Sequence, residues 1–250
     1  MTTHPADHPC AGVLSSGAAL LHKDLERRDR GCFPTTIDEL DHLLCGGIAR
    51  GSLVEMAGAA SSGRFALVLA VMASVATTDQ AAALIDLGDH LDPQLAHGMG
   101  VDLSRLLWLR PRRLKDALAS AEIVMETGMP LVVLDLGLER VRAASQGFWV
   151  RLQRTAAARG AALLISTSHP VCGFAADVAL SIERVRAHWL PAGAGLLERM
   201  ATRVLLRKRR GLTGVKATSL WLMMADAWSA READPSTRAV VNRSRLRVTA

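Results

Sequence analysis

The feature that most constrains this chain is a series of short apolar runs, several ending in a carboxylate or hydroxyl, separated by segments of helical spacing. Residues 81–87 read as a buried strand carrying Asp86, and Leu131–Asp135 as a second with a carboxylate at its C-terminal end. Residues 161–166 and Leu106–Leu109 are two more, and residues 52–56 form a short strand ahead of the glycine-flanked loop 58–63. Helical spacing falls at residues 37–44, stopped by Gly46 and Gly47, and along the almost wholly apolar stretch 65–76. It returns at 114–125, with Leu114, Leu118, Ala121 and Met125 in phase, and where Phe148, Trp149, Leu152 and Ala156 share a face. Strands alternating with helices imply a mostly parallel sheet covered on both faces. After residue 177 the pattern changes to strand-like runs at 178–185, 202–206 and 218–223 with no long helix between them, which predicts an antiparallel extension.

Half of the 250 residues are hydrophobic and 22% are charged, too apolar for a disordered chain and enough for one α/β core. No run reaches the roughly 20 apolar residues of a membrane span. No basic segment precedes an apolar core as in a signal peptide, so the expected location is the cytoplasm. Cys10, Cys32, Cys45 and Cys172 lack metal-ligand spacing and read as reduced thiols; no metal site is expected. The net charge of +6 is unevenly placed. Residues 196–250 hold 12 Lys/Arg against 4 Asp/Glu, whereas residues 1–195 hold 18 against 20. A cationic C-terminal fifth points to an anionic partner. The expected organisation is a flexible N-terminus over 1–35 with one helix at 15–28, a core over 36–225 and a basic tail over 226–250.

Gly58-Ala59-Ala60-Ser61-Ser62-Gly63-Arg64-Phe65 has the frame of a phosphate-binding loop between strand and helix. A working loop cradles phosphates with backbone N–H groups, reaches them with Lys, and holds magnesium with the next Ser or Thr. Arg64 keeps the charge but not the compact ammonium, and Phe65 has no oxygen for magnesium. Arg64 therefore either contacts an anion at the helix N-terminus or closes an empty loop by pairing with Asp135 or Asp89. His90 and His97, separated by Pro93, read as surface or loop histidines.

The order of segments carries a resemblance: Ile37-Asp38-Glu39-Leu40, Gly46-Gly47, Arg50-Gly51-Ser52-Leu53-Val54-Glu55, the loop 58–63, Ile85-Asp86, Leu91-Asp92-Pro93, Gly100-Val101-Asp102-Leu103, Arg110-Pro111 and Leu131–Asp135. Over residues 36–224 it resembles the RecA recombinase core. The resemblance implies a RecA-like P-loop α/β fold with a mostly parallel central sheet, helices on both faces and an antiparallel C-terminal extension. In RecA-like ATPases a Glu ahead of the Leu-Asp-Pro segment polarises the attacking water; Gly88 stands at that position, with Asp89 beside it. The strand-end Asp that assists magnesium is Asp135, and the γ-phosphate-sensing Gln is replaced by Ser168. With the hydroxyl, the base and the sensor all replaced, the resemblance implies a vestigial nucleotide site of Gly58, Ser61, Ser62, Gly63, Arg64 and Asp135. No catalytic residue, no ATP cofactor and no ATP-dependent filament are expected.

A RecA-like chain of this length without those residues is similar to the ImuA family of bacterial mutagenesis cassettes. That similarity implies a non-hydrolysing accessory protein of SOS-induced mutagenic translesion DNA synthesis, nucleoid-associated when induced. The implied partners are an ImuB-like Y-family polymerase homologue, RecA, an error-prone DnaE-type polymerase and DNA. A SulA-like cell-division inhibitor and an active RecA-like DNA-dependent ATPase are the alternatives. Arg207, Lys208, Arg209 and Arg210 are the first candidates for contact with DNA or a partner. In a regular strand Arg207 and Arg209 would share one face, with Lys208 and Arg210 on the other. The resemblance points Arg207 and Arg209 at a neighbouring protomer's nucleotide; phosphate contacts with DNA, or a solvated basic edge, are the other readings. Arg243, Arg245 and Arg247 lie in the tail, where the lack of aromatic residues after Trp228 favours electrostatic contact without base stacking. The segment from His169-Pro170 to Ala176 is far shorter than the recombinase's DNA-binding loop.

Overall fold

The structure, a computed structural model, describes residues 31–76, 78–138, 146–189, 197–210 and 216–223. The helix expected at 15–28 and the tail with Arg243, Arg245 and Arg247 lie outside the described residues. In chain order the elements are β1 (Cys32–Phe33), α1 (Asp38–Leu44), β2 (Ile48–Ala49), β3 (Leu53–Gly58), α2 (Arg64–Ala76) and β4 (Ala82–Asp86). Then come α3 (Pro93–Gly98), β5 (Leu106–Leu109), α4 (Leu114–Glu126), β6 (Leu131–Asp135), α5 (Gln146–Arg159) and β7 (Ala162–Thr167). Three long strands end the order: β8 (Val178–Trp189), β9 (Leu197–Arg209) and β10 (Lys216–Met223).

Eight strands form one sheet in the order β10-β9-β8-β3-β7-β6-β4-β5. The six from β8 to β5 run parallel, and β9 and β10 turn back antiparallel against β8. The central strands are buried on both faces, which is why they read as unbroken apolar runs. Alternate residues feed two cores. Val54, Met56, Leu84, Val133 and Leu164 pack with α1 and α2 on one face. Leu53, Ile85, Leu134 and Ile165 pack with α4 and α5 on the other, around a fully buried Trp149.

The helices start and stop for local reasons. Helix α1 ends at Cys45 in the left-handed conformation, followed by Gly46 and Gly47 at φ +110° and +114°. A side chain at Gly47 would collide with the Phe33 carbonyl, so the β1–β2 ladder depends on that glycine. The β1–β2 ladder and the short helix α3 are absent from the periodicity, because two-residue strands and a six-residue helix carry too little pattern. Asp92 caps α3 by accepting from the Gln94 and Leu95 amides, with Pro93 at its first position.

The antiparallel strands outrun their sequence expectations, β8 at its C-terminal end, β9 at both ends and β10 at its N-terminal end, and β9 is not regular. Its pairing with β8 slips between Ala179 and Leu180, so Lys208 faces Ala179, Leu206 faces Leu180, and Arg207 is the extra residue. The expected alternation of the basic run is therefore wrong. Arg207 reaches Glu183 on the face that Lys208 also occupies, and Arg209, opposite Val178, falls on the other.

Trp149 gives a direct test of this packing. Trp149→Ala should cost about 3–5 kcal/mol, read as a lower urea midpoint with an unchanged slope. A loss within 1 kcal/mol would mean the α4–α5 face is not packed as described.

Candidate functional site

In a doubly covered parallel sheet, ligands sit beyond the carboxyl ends of the strands. Here those ends are Gly58, Asp86, Asp135 and Thr167 on β3, β4, β6 and β7. The register pairs Asp86 with Asp135, and Asp135 with Ser166, so three polar side chains lie side by side at one end of the sheet.

Loop 58–63 is tightly folded. The Ser62 amide donates to the Ala59 carbonyl at 3.2 Å, and Thr202 Oγ1 donates to the Ser62 carbonyl at 3.0 Å, stapling the loop to β9. Gly63 at φ +90° lies where a Cβ would come within 2.5 Å of Leu222 and 2.7 Å of Thr202. Ser61 is exposed with φ +55°, whereas Ser62 is buried and its hydroxyl has no partner among the described residues.

Arg64 does not extend from this loop to the surface. Only 5% of its side chain is exposed. Both terminal nitrogens donate to the Gly137 carbonyl at 3.3 Å, and Nη2 lies 3.8 Å from Asp135 Oδ1. Burial lowers the guanidinium pKa while Asp135 acts to raise it. Of the two carboxylates expected as partners, Asp135 is the one Arg64 meets. Asp89 instead holds Arg110 through two hydrogen bonds of 2.8 Å at the surface, and Arg110 pulls its carboxyl below the ordinary range.

Asp135 is wholly buried, and both its oxygens accept from neighbours. Ser166 Oγ donates to Oδ1 at 2.6 Å, and His90 Nδ1 meets Oδ2 at 2.8 Å. His90 lies exposed on a loop, as expected, yet its ring also reaches the buried Asp135. Its ring packs edge-on against Phe65, with centroids 5.7 Å apart, and its backbone amide donates to Asp86 Oδ1 at 2.9 Å. The hydrogen bond His90 makes to the Asp135 carboxylate is the main cause that raises its pKa, against desolvation. Asp86 also accepts from the Leu91 amide and Trp108 Nε1, which fixes the turn that carries His90.

At Gly88 an added Cβ would lie 2.7 Å from the His90 ring and 2.8 Å from the Gly137 Cα. The space where RecA-like ATPases carry their water-polarising Glu is thus filled by His90 and the Gly137 backbone. Phe65 supplies no ligand for magnesium, the oxygens of Asp135 are engaged, and Arg64 turns inward. This donor set does not fit a magnesium triphosphate. Among the described residues no group of His, Cys, Asp and Glu could hold a metal ion. Neither His90 nor Ser166 stood among the candidates, although the register pairing of Asp135 with Ser166 and of Asp86 with Asp135 places both beside Asp135.

The basic run on β9 is largely engaged within the chain. Arg207 pairs with Glu183 at 3.3 Å, both half exposed. Lys208 Nζ donates to the Gly173 and Phe174 carbonyls at 3.2 and 3.0 Å, and burial, more than its neighbour Arg210, lowers its pKa. Arg210 sits 3.3 Å from the buried Asp177, and Arg209 Nη1 is buried without a partner among the described residues. Lys208 and Arg210 therefore hold the loop after β7 to the sheet, while Arg207 keeps its charge at the surface.

The profile of the RecA N-terminal domain matches residues 16–142, just over half of the chain. The chain belongs to the RecA N-terminal domain family. Protein RecA of Methylococcus capsulatus is 39% identical over 110 residues, covering 43% of this chain and 32% of that protein. Protein RecA of Tropheryma whipplei is 36% identical over 121 residues, covering 48% of this chain and 28% of that protein. This RecA-family chain thus spans roughly a third of the length of the curated relatives it matches. The crystal structure of the RadB recombinase shares the fold with a TM-score of 0.60 at 18% identity, covering 77% of this chain and 97% of that one. No helix among the described residues is long and apolar enough to cross a membrane.

The His90–Asp135 contact predicts a pH dependence. A histidine whose pKa is raised on folding contributes stability that is complete below its unfolded value, about 6.5, and is lost as pH rises through the folded value. The stability difference between the wild type and His90→Gln should be greatest below that value and shrink above it, in urea titrations at a series of pH values. A difference independent of pH would contradict the contact.

Proposed function

We propose that this RecA-family chain is a non-hydrolysing accessory protein of SOS-induced mutagenic translesion DNA synthesis, acting in the cytoplasm at the nucleoid. The observation that supports this reading is Asp135, whose two oxygens accept from Ser166 and His90 while Arg64 lies against it. Phosphoryl transfer at a RecA-like site needs a metal-bound triphosphate, a group that orients the attacking water and a cation on the terminal phosphates. Phe65, Gly88 and the inward Arg64 supply none of these. A RecA-like body without turnover acts through its surfaces. In this reading it contacts an ImuB-like polymerase homologue, RecA, an error-prone DnaE-type polymerase and DNA, through Arg207 and the tail arginines Arg243, Arg245 and Arg247.

The reading has biochemical and genetic tests. Purified protein should release no phosphate from MgATP with or without single-stranded DNA, and ATP should not raise its light scattering. DNA-stimulated turnover abolished by Asp135→Ala would overturn the proposal. In cells, deleting the gene should reduce damage-induced mutation to the uninduced frequency; an unchanged induced frequency would also overturn it. Replacing Arg207, Arg243, Arg245 and Arg247 with Ala should weaken binding to DNA and to the polymerase homologue; Arg207→Ala alone should leave the melting temperature unchanged, because an exposed charge adds little to stability. Lys208 and Arg210 are left intact in that variant because they hold Asp177 and the loop after β7.

A further inference from the structure

Ahead of α4 the chain carries a dense cationic run: Arg110, Arg112, Arg113 and Lys115, all exposed. Arg110 is engaged by the protein itself. Its guanidinium lies 4.8 Å from the centre of the Trp108 ring and donates two hydrogen bonds to Asp89. The other three have no ion pair among the described residues. Arg113 is the N-cap of α4, and its side chain makes no capping bond. Lys208, Arg210 and Arg64, by contrast, each serve a carbonyl or a carboxylate of the fold.

The fold works against these three charges. The amino end of a helix carries partial positive charge, so it favours carboxylates and disfavours cations. α4 runs for 13 residues from Leu114, with Arg113 and Lys115 at its amino end and Asp116 as the acid of its first turn. Unpaired cations held where a helix repels them lower stability, a cost that binding surfaces commonly carry.

The patch is also bounded. Asp89 closes it at Arg110, and the exposed Asp116 follows Lys115. Residues 1–195, in which it lies, hold 20 Asp/Glu against 18 Lys/Arg. Duplex DNA, with one charge per ~1.7 Å of axis, would press its phosphates on those flanking acids. A short run of carboxylates fits between them, and the planar forks of Arg112 and Arg113 suit carboxylates held by paired hydrogen bonds.

We propose that Arg112, Arg113 and Lys115 form a docking site for an acidic segment of a partner protein, a short run of Asp and Glu lying across the amino end of α4. Recognition is by side-chain charge, and the helix end favours the same sign of ligand. The site lies at the β5 side of the sheet, away from Arg207 on β9.

The test titrates the nitrogen-15-labelled full chain with a peptide of Glu, Asp and Gly about eight residues long, roughly twice the reach of residues 112–115. Amide resonances of residues 111–117 should shift saturably, and added salt should weaken the binding. Arg112→Glu, Arg113→Glu and Lys115→Glu together should weaken binding about tenfold or more. The same variant should bind a Lys-rich peptide instead and melt no lower than the wild type, because Glu suits the amino end of α4. Replacing Arg243, Arg245 and Arg247 with Ala should leave the shifts at 111–117 unchanged, which separates this site from the basic tail. The proposal fails if the acidic peptide shifts none of these resonances at millimolar concentration, or if the loop variant binds it as the wild type does. A lower melting temperature in the loop variant would give the cations a structural role and also overturn it. Duplex DNA shifting the same resonances at lower concentration than the peptide would make the surface a nucleic-acid site and overturn it too.

Discussion

A carboxylate with no exposed surface must be hydrogen-bonded or paired, and Asp135 at the end of β6 is both. Ser166 from β7, His90 from the turn after β4 and Arg64 from the start of α2 converge on it. Those three groups come from separate segments, so one carboxylate ties together the sheet, the loop 58–63 and the turn at Gly88. In a RecA-like ATPase that position assists a metal; here the protein's own donors surround it. A buried charge with three partners is costly to disturb one partner at a time, because each removal leaves the charge less compensated. The loop is held shut by the same interactions that hold the sheet ends together.

Much of this was legible in the sequence, and the parts that were not have physical causes. The parallel strands were plain because burial on both faces makes them continuous apolar runs, as at Leu131–Asp135. Arg64 facing Asp135 or Asp89 was a foreseeable choice, but the choice depends on which way the Gly88 turn carries Asp89. With φ +53° at Asp89, that residue meets Arg110, and the next residue, His90, turns in. A histidine in a loop between Asp and Leu has no periodic signature, and its role appears only once the register sets Asp86 beside Asp135. The faces of Arg207–Arg210 were misread because a one-residue bulge inverts the alternation beyond it, and nothing in Leu205-Leu206-Arg207-Lys208 marks a bulge.

The cations placed by the structure are of two kinds. Lys208 and Arg210 serve carbonyls and the buried Asp177, and are structural. Arg207 and the loop from Arg110 to Lys115 keep their charge at the surface, the second at the far edge of the sheet from the first. Composition alone located only the C-terminal excess, since the loop cations are balanced by acids elsewhere in residues 1–195.

The central claim is that the phosphate site is filled from within. It is tested most directly by thermal melting of the purified full chain with and without millimolar MgATP. A ligand that binds only the folded state raises the melting temperature according to its concentration over Kd. The account predicts no shift for MgATP at any concentration up to the millimolar range. A rise that scales with MgATP and disappears in Arg64→Ala would contradict it.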